Sequence, residues 1–151
     1  MFLIELLSVS GGAIIGALGR HFLTLLIDNR VKVLGNYNVS RLHLGTATVN
    51  ILGSFIIGIV SALAVDLNLQ DNLKLFLLPG ILASFTTFAS FSLFEIQFLK
   101  DQKFIHWLIF ILLNVVGSSI FVFLGLIIGH KLSSKIAKDL SPEEDVLKLY
   151  F

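Results

Sequence analysis

The sequence predicts an all-α integral membrane protein with four transmembrane helices per chain, and three observations predict it. Apolar residues make up 56% of the 151 residues and charged residues only 14%, against about 45–50% and about 25% in soluble domains. Mean hydropathy is +0.92. The apolar residues gather into four stretches, each long enough to cross a hydrocarbon core of about 30 Å, which takes roughly 20 helical residues. The alternation of a transmembrane β-barrel is absent. In hydrocarbon each backbone N–H and C=O needs a partner within its own segment, so the spans are helices. The same composition excludes intrinsic disorder. A net charge of +1 offers no basic surplus for nucleic acid. The absence of cysteine excludes disulfides, thiolate metal sites and cysteine nucleophiles. The expected organisation is one four-helix transmembrane domain over residues 1–130 and a short polar C-terminal tail over 131–151.

The first stretch, Phe2–Ile27, contains only Glu5 and Arg20 as charges. It has neither a basic start nor a small-residue cleavage site, so it reads as a permanent helix rather than a signal peptide. Gly12, Gly16 and Arg20 recur every fourth residue with Ala13 and Ala17 beside them. That is a small-xxx-small face, where two helices approach closely. The second stretch, Gly45–Val65, is uncharged and carries Asn50 six residues in, with Gly53 and Gly58 as further contact points. The fourth, Phe104–Gly129, is also uncharged, with Asn114, Ser118 and Ser119 near its middle and Gly125 and Gly129 beyond. In the tail, Ser141-Pro142-Glu143-Glu144-Asp145 reads as the start of a short helix, with acids near its N-terminus.

The third stretch, Leu75–Leu99, has Glu95 as its one charge and is the informative one. Pro79-Gly80 weakens its first half. Ser84, Thr86, Thr87 and Ser90 fall within a run of seven residues. Adjacent threonines are stiff at χ1 and bond back to backbone carbonyls. Two readings stand. Either the helix breaks here and bares carbonyls able to hold a small cation, or it is continuous and the hydroxyls bond carbonyls three or four residues back. Phe85, Phe88, Phe91 and Phe94 recur every third residue. Such rows commonly pack or face lipid. Beside hydroxyls they have a second use, because ring edges are positive and, with Ser, Thr and Asn donors, replace the water around a small anion.

Polar residues at this depth glue helices or line a path. Without a central carboxylate, the path suits an anionic or neutral species better than a cation or proton. A chain this short does not enclose a wide pore alone, which favours an oligomer. Four spans place both termini on one side. That side and the second connector hold Lys74, Lys131, Lys135, Lys138 and Lys148; the other connectors hold Arg30, Lys32, Arg41, Lys100 and Lys103. Orientation follows Lys/Arg asymmetry, and here five face five, or six with Arg20 near the end of the first span, so there is almost none. The chain is either oriented by other means or inserted both ways, pairing antiparallel.

An enzyme is not expected. His21, His43, His106 and His130 are scattered without metal spacing, and no GxSxG or Walker lysine is present. One alternative is a small multidrug-type cation/proton antiporter, which needs a carboxylate deep in the first span; Glu5 is too shallow. Another is a non-transporting membrane assembly subunit whose polar residues are helix glue only.

The motifs resemble the CrcB/Fluc family of small fluoride channels over nearly the whole chain. The first span resembles GGxxGAxxR at Gly11, Gly12, Gly16, Ala17 and Arg20. The second resembles GTxxVNxxGSFxxG from Gly45 to Gly58, the third a TTFSxF segment at Thr86–Phe91, and the fourth NxxxS at Asn114 and Ser118. The resemblance implies a passive fluoride-selective channel in a cell inner (plasma) membrane, built as an antiparallel, dual-topology homodimer. It implies a third helix that is broken and fluoride pathways at the dimer interface. Phe88 and Phe91 would line them as rings, Asn50 and Ser118 as polar donors and Thr87 as a hydroxyl, with Arg20 in a vestibule. It also implies a structural Na⁺ at the dimer centre, held by backbone carbonyls at Ala83 and Thr86. The chain departs from the family pattern in three places, and His21 also stands where an aromatic is typical. Ala83, Ser84 and Phe85 stand where glycines are usual, Ala89 stands for a serine, and Glu95 lies one residue late.

Overall fold

The computed structural model describes residues 2–33 and 43–140, and every regular element among them is helical. Helix α1 covers Phe2–Val33 and α2 covers Leu44–Asp66. Helix α3 covers residues 71–85, ordinary at Asp71–Leu75 and Ala83–Phe85 but wound as a π-helix over Phe76–Leu82. Helix α4 covers Phe88–Lys100. Helix α5 covers Phe104–Leu140, with a π-helical stretch over Leu112–Gly117. Four segments are long and apolar enough to cross a membrane: Phe2–Val31, Leu44–Asp66, Asp71–Lys100 and Phe104–Leu140. The third is α3 and α4 in series. The charge balance involves Arg41 and Lys148, and the tail reading begins at Ser141; these lie outside the described residues.

Pro79-Gly80 does not break the chain. The ring of a proline inside an α-helix collides with the carbonyl four residues back. Here Pro79 sits within the π-helical stretch, where one extra residue per turn relieves that collision. The break falls instead at Thr86 and Thr87. Their backbones are extended, with φ/ψ of −82°/160° and −148°/113°. The continuous-helix reading of the threonines fails, and only its back-bonded hydroxyl survives. The helix stops, and the Thr86 hydroxyl still donates back to the carbonyls of Leu82 and Ala83, at 3.3 Å each.

The helices pack in pairs, α1 on α3 and α2 on the second half of α5, with α1 also touching α2. Both pairs meet backbone to backbone. A Cβ at Gly16 would run into the Ile81 carbonyl oxygen, and one at Gly125 into that of Phe55. Without a hydrophobic drive between helices in lipid, such contacts and buried hydrogen bonds hold them together. Helix α4 packs on the first half of α5 through rings. Phe91, Phe98 and Phe110 are buried with Ala47, and Phe94 and Trp107 close the cluster. Exposed Ile14, Leu18 and Phe22 leave the outer face of α1 apolar, as lipid requires.

Polar contacts fix the helix ends. The Gly45 N–H donates to Asp28 Oδ1 at 3.0 Å, tying the start of α2 to the end of α1. At the far end, Asp66 Oδ2 lies 2.7 Å from His130 Nδ1 and accepts the Ser133 hydroxyl. Residues 131–140, expected as tail, continue α5 as helix.

Candidate functional site

The break in the third span is held open by α2. In an uninterrupted helix the Thr87 N–H would bond the Ala83 carbonyl. It donates instead to Asn50 Oδ1, at 2.8 Å. Asn50 Nδ2 donates in return to the Thr87 carbonyl at 3.2 Å, so one carboxamide clasps both backbone groups of one residue, which lie on the two peptide units flanking the Thr87 Cα. The same Nδ2 donates to Asn114 Oδ1 at 2.8 Å. Asn114 Nδ2 donates to the Phe110 carbonyl at 2.9 Å. The next helix starts with its own cap: Thr87 Oγ1 accepts the Ser90 N–H at 3.3 Å and donates to Ser90 Oγ at 3.1 Å. Room for the extended pair comes from Gly53, where a Cβ would lie 2.5 Å from Thr86 Cγ2.

The clasp leaves two carbonyls without their helical donors. Ala83 O has lost the Thr87 N–H to Asn50, and Thr86 O has lost the Ser90 N–H to Thr87 Oγ1. Ala83 O retains the Thr86 hydroxyl. Thr86 O accepts a long contact, 3.4 Å, from Arg20 Nη1. Arg20 therefore reaches the break itself.

Beside the break lies an open cavity of about 400 Å³. Asn50, Thr87, Phe88, Phe91 and Ser118, all singled out in the sequence, line it together with Ser54, Thr86, Asn114 and Ser119. Arg20 and Ala83 are not among its lining residues. No lining residue is charged. The two rings differ sharply. Phe91 is 5% exposed and packs on Phe110 with centroids 5.6 Å apart, whereas Phe88 is 77% exposed. They lie tilted at 50° with centroids 5.4 Å apart. The Ser118 hydroxyl oxygen is buried and has no protein partner. Buried hydroxyls are normally bonded, so this one is a donor left free beside the rings.

Two features escape the sequence. Asn114 is the middle of a three-helix chain of hydrogen bonds, and the stretch that carries it is π-helical. Its side chain bonds the Phe110 carbonyl four residues back, and side-chain insertion into the helical ladder accompanies local widening. An asparagine four residues before a serine gives a sequence-level hint of the polar patch but none of the π turn.

The family model described as CrcB-like protein, Camphor Resistance (CrcB), matches residues 7–126. A protein of Ruminiclostridium cellulolyticum named fluoride-specific ion channel FluC is 35% identical over 137 residues, 89% of this chain and 96% of that protein. The FluC of Campylobacter jejuni is 39% identical over 123 residues, 82% of this chain and 95% of that protein. That of Acinetobacter baylyi is 36% identical over 123 residues, covering 82% and 91%. With matched segments spanning α1 to α5 and the polar residues of the break inside them, this chain belongs to the CrcB family of multi-pass membrane proteins.

Proposed function

We propose that this chain is a passive, fluoride-selective channel of the cell inner (plasma) membrane, working as an antiparallel homodimer. The observation that carries the reading is the uncharged cavity where Phe88, Phe91, Thr87 and Ser118 meet. A small anion entering it loses water. Ring edges and hydroxyl hydrogens offer partial positive charge in its place, and no fixed cation is there to trap it. A larger, more weakly hydrated halide gains less from close donors. An antiporter reading would require a carboxylate at this depth; Glu5 lies in the first turn of α1 and the cavity lining has none.

Exposure supports the pairing. Phe88 and Ser119 line the cavity and are exposed, which leaves the cavity uncovered in a single copy at a depth where lipid offers no polar partner. A second copy laid over this side would close the path and put both sets of rings at the interface.

The donor set at the break suits a small hard cation. Backbone carbonyls at Ala83 and Thr86 are neutral oxygen ligands freed from helical bonding, and each carbonyl has two lone pairs. One lone pair of Thr86 O is taken by Arg20. A Na⁺ bound here would be held by these two carbonyls and their counterparts in a second copy, and would lock the two breaks together. The glycines missing before Thr86 are not needed for the bend, because Thr86 and Thr87 are extended rather than left-handed.

The test is fluoride efflux from liposomes holding the purified protein. Wild type is expected to release fluoride far faster than protein-free vesicles, and Phe88→Ile with Phe91→Ile to abolish the flux. No flux from wild type, or unchanged flux in the double variant, overturns the reading.

A further inference from the structure

Asn114 lines the cavity but has been given no role in the pathway so far, and the path's most constrained group depends on it. A carboxamide has two N–H donors and one carbonyl. Asn50 uses all three: its oxygen takes the Thr87 N–H, and its nitrogen serves the Thr87 carbonyl and Asn114 Oδ1. The direction of the chain is forced at both ends. The Thr87 N–H only donates and the Phe110 carbonyl only accepts, so neither amide is free to turn over without setting like groups against each other. Both side chains are buried, Asn50 at 8% and Asn114 at 6% exposure, where an unmet donor is costly.

We infer that Asn114 is a positioning residue for ion passage. Its oxygen holds the second N–H of Asn50, which fixes the Asn50 side chain and, through the two-way clasp, the Thr87 peptide from which α4 departs with Phe88 and Phe91. Although it lines the cavity, its Oδ1 is engaged by Asn50 and its Nδ2 by the Phe110 carbonyl, and it acts on the ion through Asn50. The inference rests on the pathway proposed above. It also separates the lining groups: Asn50 has no donor to spare, whereas the Ser118 hydroxyl does.

A double-mutant cycle on fluoride flux per reconstituted channel tests this, alongside thermal stability in detergent. Asn114→Ala and Asn50→Ala are each expected to lower flux at least tenfold, and the double variant to match the slower single variant within about twofold, because both break one linkage. Asn114→Asp is the second variant should the alanine change fail to fold. Its carboxyl, when protonated, still accepts from Asn50 and donates to the Phe110 carbonyl. Its flux, corrected for vesicles without protein, is expected to rise as pH is lowered from about 8 to about 5.5 while wild type stays flat. A change in fold stability alone would alter yield and melting without such a profile. Multiplying effects in the cycle, flux within twofold of wild type in Asn114→Ala, or a flat profile in Asn114→Asp each overturn the inference. If wild type itself carries no fluoride, the pathway reading fails and takes this one with it; if wild type conducts and the Asn114 variants conduct equally, only the positioning role is lost.

Discussion

One side chain, Asn50, takes the Thr87 N–H that a continuous helix would have given to the Ala83 carbonyl, and much of the cost of breaking a helix inside a membrane is met at that residue. Asn50 was legible as a polar residue six places into an apolar span. Its partner was not, because nothing local says which peptide of which helix a carboxamide will face. His43 shows the same limit at the aqueous edge. It precedes α2 with φ of 45°, and its ring stacks on Phe94 with centroids 3.7 Å apart. Burial holds its pKa below the ordinary 6.5, nearby Lys103 adding to the effect and Asp28 opposing it. The folded state thus disfavours the charged ring, while the unfolded chain takes up a proton near 6.5. This contribution is fully present above that pH and is lost as pH falls through the lower folded value. Melting temperature is expected to drop on acidification below about pH 6.5, and His43→Phe, which keeps the stacking, to flatten that drop; an identical pH dependence in the variant would refute the assignment.

Elements were readable as apolar stretches and glycine faces, but their pairing was not. The face of Gly12 and Gly16 announced a close neighbour without saying that it would be the π-helical stretch around Gly80. Neither π-helical stretch has a signature in apolar periodicity, because an all-apolar span looks alike at 3.6 or 4.4 residues per turn. The contact between α2 and α5 yields a sharp contrast. A Cβ at Gly125 would meet backbone, the Phe55 carbonyl and Gly58 Cα, whereas one at Gly19 would meet only Phe85 ring atoms at 3.6 and 3.7 Å. Backbone cannot swing aside as a ring does. Gly125→Ala is expected to destabilise the fold by about 1–3 kcal/mol, read as lower melting temperature and a smaller monodisperse fraction in detergent. Gly19→Ala should stay within about 0.5 kcal/mol of wild type.

For the whole molecule the governing quantity is charge balance across the bilayer. Five lysines on the side of the termini oppose five basic residues in the first and third connectors. Replacing Lys131, Lys135 and Lys138 with glutamine leaves two against five. Lys/Arg asymmetry of this size orients short-looped proteins. On the antiparallel pairing proposed above, the triple variant is expected to insert in one orientation and, lacking antiparallel partners, to lose at least nine-tenths of its fluoride flux. The chain has no cysteine, so single introduced cysteines at each end report topology cleanly by membrane-impermeant labelling. Retained dual labelling with retained flux would show that these lysines do not set orientation.

The sequence by itself determined the solvent, the number of spans, the near-equal charge on the two sides and the identity of the polar residues at depth. Each is a property of composition or local spacing, which the bilayer reads segment by segment. Only the tertiary structure decided where the third span breaks and how. The break at Thr86 and Thr87 exists because a carboxamide from α2 captures the N–H and the C=O of one residue, Thr87, and that carboxamide is steadied by another from α5. Hydrogen bonds between residues 37 and 64 positions apart have no trace in local pattern. They are chosen by which helices glycine lets come close.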